Sequence, residues 1–343
     1  MSRRGIIKFI IIGVIALAAA AASVGVWLHI SLNVATGRGG ATRFTLRSGA
    51  SVREVAAELK AVGLIRSARA FRLAAWWQDG WRQAAAGDYA LRRDMTAMEM
   101  LRAFQRGDVI TEWITVPEGL ALWQVAELVE AEGLGSGEGF LRIAYAPDDF
   151  EAGFPLPADS LEGYLFPDTY KIARHPGAER ELARVMLMRF EQVVWQDLLG
   201  GRPPNSTLHE VVILASLVEG EGKLDAERPT IAGVLTNRLR QGRKLECDAT
   251  VQYALGPDRK QRLTYDDLTT PSPYNTYVHP GLPPGPINSP GRASIEAALH
   301  PAETAYLYYV ARPDGSHIFS RTYAGHLRAI ARARGERRAQ GTR

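Results

Sequence analysis

A chain of 343 residues with 46% hydrophobic content can bury more than one ordinary core, and its formal charge of +4 is concentrated at its two ends. Arg3, Arg4 and Lys8 open the chain, and six arginines against Glu336 close it over residues 328–343. The body between is therefore net acidic, which excludes the basic stripe of a nucleic-acid-binding surface, and the single cysteine, Cys247, excludes an intramolecular disulfide and a four-cysteine zinc site.

Residues 1–35 read as a cytoplasmic tip and a transmembrane anchor. Phe9 to Trp27 carries no charge, and 19 apolar residues can cross a hydrocarbon core of roughly 30 Å. Basic residues precede the run and none follows until Arg38, so the positive-inside bias places the N-terminus in the cytoplasm. The rival reading is a cleaved signal peptide, suggested by the small residues Ala18 to Ser23. Residues 36–43, with TGRGGAT, read as a flexible linker.

Two segments then match without a gap at an offset of 70: FTLRSGASVREVAAELKAVGL from Phe44 and ITVPEGLALWQVAELVEAEGL from Ile114. Each reads as a short strand, a turn with glycine, and a helix closed by glycine. Strand–turn–helix units of this size resemble LysM modules, which bind N-acetylglucosamine polymers, and residues 44–144 are taken as one LysM-like module. Between the copies, a strand is expected around Tyr89, followed by a helix ending at Gly107.

The candidate catalytic residue lies further on. Thr207 stands three residues before Glu210, a capping-box spacing, and the apolar run to Val218 predicts a buried helix. Glu219-Gly220-Glu221-Gly222 follows, and the two glycines predict that the helix stops there. A carboxyl at the C-terminal end of an apolar helix is expected to hold its proton, because burial and the helix dipole both oppose its charge. That is the state a general acid needs. Other chemistries lack their residues. His209-Glu210 has Ile213 where a zincin needs histidine, no G-x-S-x-G elbow occurs, and Gly222-Lys223 would put the first P-loop glycine at Leu217. No metal or cofactor is expected.

Longer motifs follow in order. EGYLFPDTY begins at Glu162, LASLVEGEG leads to ERPTIAGVLTNRLRQGRKLECDATVQYALG from Glu227, SPYNTY begins at Ser272, GLPPGPINSPG at Gly281, and AYLYYVARPDGSHIFS at Ala305. Together they resemble the MltG/YceG family of endolytic murein transglycosylases over about 300 residues. The resemblance implies an enzyme that cleaves peptidoglycan glycan strands without water, leaving 1,6-anhydro-MurNAc ends. It implies Glu219 as the single acid and base, with Asn237, Arg238, Asp248, Thr250, Tyr253, Ser272, Tyr274, Asn275 and Tyr277 in or near the cleft. Its setting would be the inner membrane, with the catalytic domain periplasmic, and cell-wall synthases (penicillin-binding proteins) are fitting partners. Asp248 keeps a second reading open, a hydrolytic muramidase with two carboxylates. A third is a non-catalytic glycan-binding scaffold. The proline-rich Gly281 to Gly291 loop is expected to be a rigid wall without chemistry. The fold expected is α+β: an N-terminal transmembrane helix, the LysM-like module, a mixed α+β catalytic domain over 145–327, and a solvated basic tail over 328–343.

Overall fold

The computed structural model describes residues 3–341 except 79, 205 and 261. The chain divides into two compact units, Met1–Glu112 with Ala173–Pro176, and Trp113–Ile172 with Gly177–Arg343.

The smaller unit begins with α1 (Arg3–Asn33), then β1 (Ala41–Leu46), α2 (Val52–Ala61), α3 (Ala68–Trp77), β2 (Gly87–Arg92) and α4 (Ala97–Arg106). Strands β1 and β2 pair antiparallel, with Phe44 opposite Tyr89. Alternation sends Phe44, Leu46, Tyr89 and Leu91 to one side, where they meet Val55, Ala56 and Leu59 of α2, Phe71 of α3 and Met100, Leu101 and Phe104 of α4. Phe104 is the centre of that core: its ring lies 4.7 Å from Tyr89, 6.0 Å from Phe44 and 6.2 Å from Trp81. Residues 36–40 are not a free linker, because Gly37 N–H donates to Arg93 O and the Thr36 hydroxyl to Gly63 O.

The larger unit holds β3 (Thr111–Thr115, its first two residues counted with the smaller unit), α5 (Leu122–Ala131), α6 (Gly137–Ala144), β4 (Thr169–Ala173), α7 (Ala178–Phe190), α8 (Leu208–Glu221), α9 (Arg228–Arg240), α10 (Asp248–Leu255), α11 (Arg292–Leu299), β5 (Tyr308–Ala311), β6 (His317–Ser320) and α12 (Tyr323–Gly341). β3 pairs with β4 and β5 with β6. The buried helix α8 runs through its core.

Both copies of the repeat are strand–turn–helix, β1–α2 and β3–α5, and the paired turn glycines Gly49 and Gly119 have φ of 74° and 79°, a left-handed conformation that glycine adopts without strain. The copies do not form one module, however. The apolar face of α2 joins the smaller core, while Leu122, Val125, Ala126 and Val129 of α5 join the core that contains α8. The expected solvated tail is instead the helix α12, which buries Ala329 and Ala333 and pairs Arg332 with Glu336.

Phe104→Ala would remove the ring around which the smaller core is built. Large-to-small changes at fully buried aromatics cost about 3–5 kcal/mol, so a matching fall in stability is expected from urea unfolding of the full chain. A loss below about 1 kcal/mol would contradict this packing.

Candidate active site

Helix α8 starts on the capping box expected from sequence, with Thr207 Oγ1 accepting from Glu210 N and the Glu210 carboxylate accepting from Thr207 N at 3.0 Å. It ends later than the glycines suggest. Gly220 stays helical, and the stop falls at Gly222. A Cβ on Gly220 would stand 2.7 Å from that of Ala249, so this glycine serves the close approach of α8 to α10.

Glu219 is therefore in the last turn of α8, with its side chain 7% exposed. Its Oε1 lies 3.1 Å from Arg228 Nη1 of α9, and its Oε2 accepts from Gly291 N–H at 3.0 Å. Arg228 is equally buried and is held in place by Asp225 and by the Ser294 hydroxyl of α11. The Gly281–Gly291 loop thus supplies a donor to the candidate acid and is not merely a wall. Ser216 fixes that loop to α8, its hydroxyl accepting from Ile287 N and its carbonyl from Asn288 Nδ2. Sequence alone suggests burial at a helix end for Glu219, and the structure adds two donors from distant segments, Arg228 and the Gly291 N–H.

A second carboxyl stands at this place that the sequence does not single out. The Glu118–Gly119 turn, in the second repeat copy, is bonded to the same loop through Gly119 N to Ser289 O and Ser289 N to Leu120 O, both 2.8 Å. A Cβ on Gly291 would stand 2.0 Å from the Glu118 carboxyl carbon, and one on Gly119 would reach within 3.7 Å of Glu219 Cγ. Partial burial and the charge of Glu219 raise the Glu118 carboxyl above its usual range, and Arg228 pulls the other way. No periodicity marks Glu118. Its PEG tripeptide in a repeat turn is the only local signal.

The other residues inferred from the family resemblance fall into separate groups. Arg238, Asp248 and Tyr277 line a cavity of about 400 Å³ together with Glu221, Tyr309 and His317. There the Tyr277 hydroxyl donates to Asp248 Oδ1 at 2.6 Å. Burial, helped by the charge of Asp248, pushes the Glu221 carboxyl up to about 7. Tyr253 and Tyr274 lie 4.8 Å apart by ring centroid, with Trp123 5.2 Å from Tyr253. The Tyr253 hydroxyl donates to the buried Glu162. Four residues hold backbone. Asn237 donates to Thr304 O and Tyr306 O, Asn275 donates to Leu268 O and Thr270 O, Thr250 donates to Cys247 O, and Ser272 accepts from Tyr274 N. Arg238 does so too, donating to Leu307 O, Lys244 O and Leu245 O. Among the described residues no three His, Cys, Asp or Glu side chains gather as metal ligands would.

Glu162 explains how α5 begins. The first repeat helix has Ser51 as its cap, but the second has Ala121, which offers no side-chain acceptor. Glu162 takes that place, both of its oxygens accepting from Leu122 N. Burial outweighs these bonds and pushes the carboxyl up to about 8.

A model of the YceG-like family matches residues 44–332, and the chain belongs to that family. Its relatives make the comparison more particular. A protein of Bacillus subtilis named endolytic murein transglycosylase is 34% identical over 299 residues, covering 82% of each chain. A Streptococcus pneumoniae protein of the same name is 30% identical over 318 residues, covering 82% of this chain and 56% of its own length. The crystal structure of a yceG-like protein from Listeria monocytogenes is similar with a TM-score of 0.54 and 28% identity, over 85% of this chain and 99% of that one.

Glu162 also gives a pH test. Its folded value of about 8 lies above the ordinary 4.5, so the folded chain holds a proton that the unfolded chain releases. Stability from this group is present below about pH 4.5 and is lost as pH rises through about 8, by up to about 1.4 kcal/mol per pH unit. Glu162→Gln should flatten that decline in urea midpoints between pH 5 and about 8. An unchanged slope would mean that Glu162 is ionised in the fold.

Proposed function

We propose that the chain is an endolytic peptidoglycan transglycosylase that cleaves MurNAc–GlcNAc bonds with Glu219 as its acid and base. The observation that carries this reading is the setting of Glu219: a carboxyl buried at a helix end and held by two donors. The name shared by the relatives supplies the reaction class.

Glu219 gives its proton to the glycosidic oxygen as the bond to C1 breaks, and the substrate's own N-acetyl oxygen stabilises the positive charge that develops there. The carboxylate then takes the proton of the C6 hydroxyl as that oxygen bonds to C1. The 1,6-anhydro ring closes, no water is consumed, and the proton is back on Glu219. Arg228 and the Gly291 N–H hold the Glu219 carboxyl from two sides, and the Glu118 carboxyl stands beside it. In this reading Glu118 is the companion carboxyl, in place of Asp248. The cavity at Asp248 and Tyr277 and the aromatic cluster at Tyr253 and Tyr274 present hydroxyls and ring faces suited to N-acetyl sugars. The paired strand–turn–helix copies are the support for LysM-like glycan contacts.

Helix α1 contains an apolar stretch, Ile11–Asn33, long enough to span a bilayer. With the basic residues before it, this supports an inner-membrane anchor with a cytoplasmic N-terminus and periplasmic folded units, beside nascent strands and the synthases that make them.

Glu219→Gln should lower cleavage of purified glycan strands by about 10²–10⁴ or more while leaving the fold intact. Mass spectrometry of wild-type products should show anhydro ends, whereas ordinary reducing ends would assign the enzyme to hydrolysis. An active Glu219→Gln variant would move the acid elsewhere, with Glu221 the next buried carboxyl. Glu118→Gln removes the carboxyl that stands beside Glu219 and should slow cleavage while leaving the fold intact. A rate equal to the wild type would make Glu118 a bystander.

A further inference from the structure

The last turns of α1 and the outer face of α3 share one surface of the smaller unit. On α3, Ala70, Phe71, Ala74 and Ala75 face the core. The opposite face carries Arg69, Arg72, Leu73, Trp76 and Trp77 at helical spacing, all exposed. Trp76 is 76% exposed and Trp77 is 80% exposed, well beyond the other tryptophans on this unit whose exposure is described. Two adjacent open indoles on a core-packed helix are unusual on a surface that meets only water.

Their height along α1 gives the reason. Counting from Phe9, a hydrocarbon core of roughly 30 Å takes up about 20 residues at 1.5 Å each, which ends the span near Leu28. Leu28, Leu32 and Asn33 line a shallow cleft of about 300 Å³ together with Leu73, Trp77 and Met98. The α3 face therefore meets the anchor where hydrocarbon gives way to headgroups. Trp27 of α1, 44% exposed, sits at that same level. The two elements are also tied together: Arg66, just before α3, donates from Nη2 to Ala35 O at 2.7 Å and from Nε to Val34 O at 3.3 Å.

We propose that α3 is an interfacial helix, with Trp76 and Trp77 seated among the headgroups of the outer leaflet of the membrane that α1 crosses. The inference rests on reading α1 as a retained anchor. Tryptophan suits this depth because its ring is apolar and its N–H is polar. Arg72 and Arg69, one and two turns back on the same face, reach lipid phosphates. The occupant is lipid and not a protein partner, because the surface is continuous with the end of the span. The consequence is orientation: two points of attachment, the span and the α3 face, hold the smaller unit flat on the bilayer where a single helix would let it swing.

The test uses the full chain reconstituted in phosphatidylcholine vesicles, with and without lipids brominated just below the headgroup. Bromine quenches indoles that it touches. Trp27, Trp76 and Trp77 should supply the quenched emission, so Trp76→Phe with Trp77→Phe should remove about two thirds of it. Equal quenched emission in the wild type and the double variant, with the chain still retained by the vesicles, would overturn the interfacial helix alone. A chain released from the vesicles by an alkaline wash would overturn the anchor reading, and this inference with it.

Discussion

The buried pair of Glu219 and Arg228 is the constraint around which the larger unit is arranged. Two ions at 7% exposure each lose several kcal/mol of hydration, by order of magnitude, and recover it only with close partners. The partners come from separate segments: Asp225 before α9, Ser294 in α11, and Gly291 in the proline-rich loop. Helix α8 must end where the loop passes, and the loop must present a backbone N–H there. Gly291 leaves the space there to the Glu118 carboxyl, which a Cβ would push aside. The prolines of that loop stiffen a donor that has to stay aimed at one oxygen.

Carboxyl groups in this unit are differentiated by surroundings and not by residue type. Glu162 is fully buried and capped onto α5, and its proton affinity rises steeply. Glu221, on the other face of the same helix end as Glu219, meets Asp248 and the N-terminus of α10 and rises less. Glu118 is open to solvent and feels chiefly partial burial and its neighbour. At Glu219 burial, a guanidinium, a backbone donor and an adjacent carboxyl come together.

The repeat shows how one sequence pattern can serve two purposes. Both copies make a strand, a glycine turn and a helix, and the first packs into a small core with aromatic rings around Phe104. The second carries Glu118 in its turn, and its helix joins the core of α8. A turn that is solvated surface in one copy thereby becomes part of the site in the other. The loss of the Ser cap at Ala121 follows the same division, because a buried carboxyl from elsewhere in the larger unit does that work.

Local chemistry makes much of this protein legible in its sequence. The charge-flanked apolar run, the two strand–turn–helix copies, the Thr207 capping box and the apolar α8 all depend on neighbours within a few residues, and such signals are written into the chain. Family motifs then point to Glu219. What stays hidden involves partners far apart in sequence. Arg228, Gly291 and Glu118 converge on Glu219 from three segments, and Asn237, Thr250 and Asn275, expected near substrate, spend their hydrogen bonds on backbone. Helix α8 runs past its first glycine because glycine propensity is weak against packing, and Gly220 is needed for contact with Ala249. The sequence by itself determined the elements, their order and the candidate acid, because those rest on short-range periodicity and motif. Tertiary structure alone decided which charges meet at that acid, because buried ions take their partners from whatever folding brings within about 3 Å, and no spacing along the chain records that.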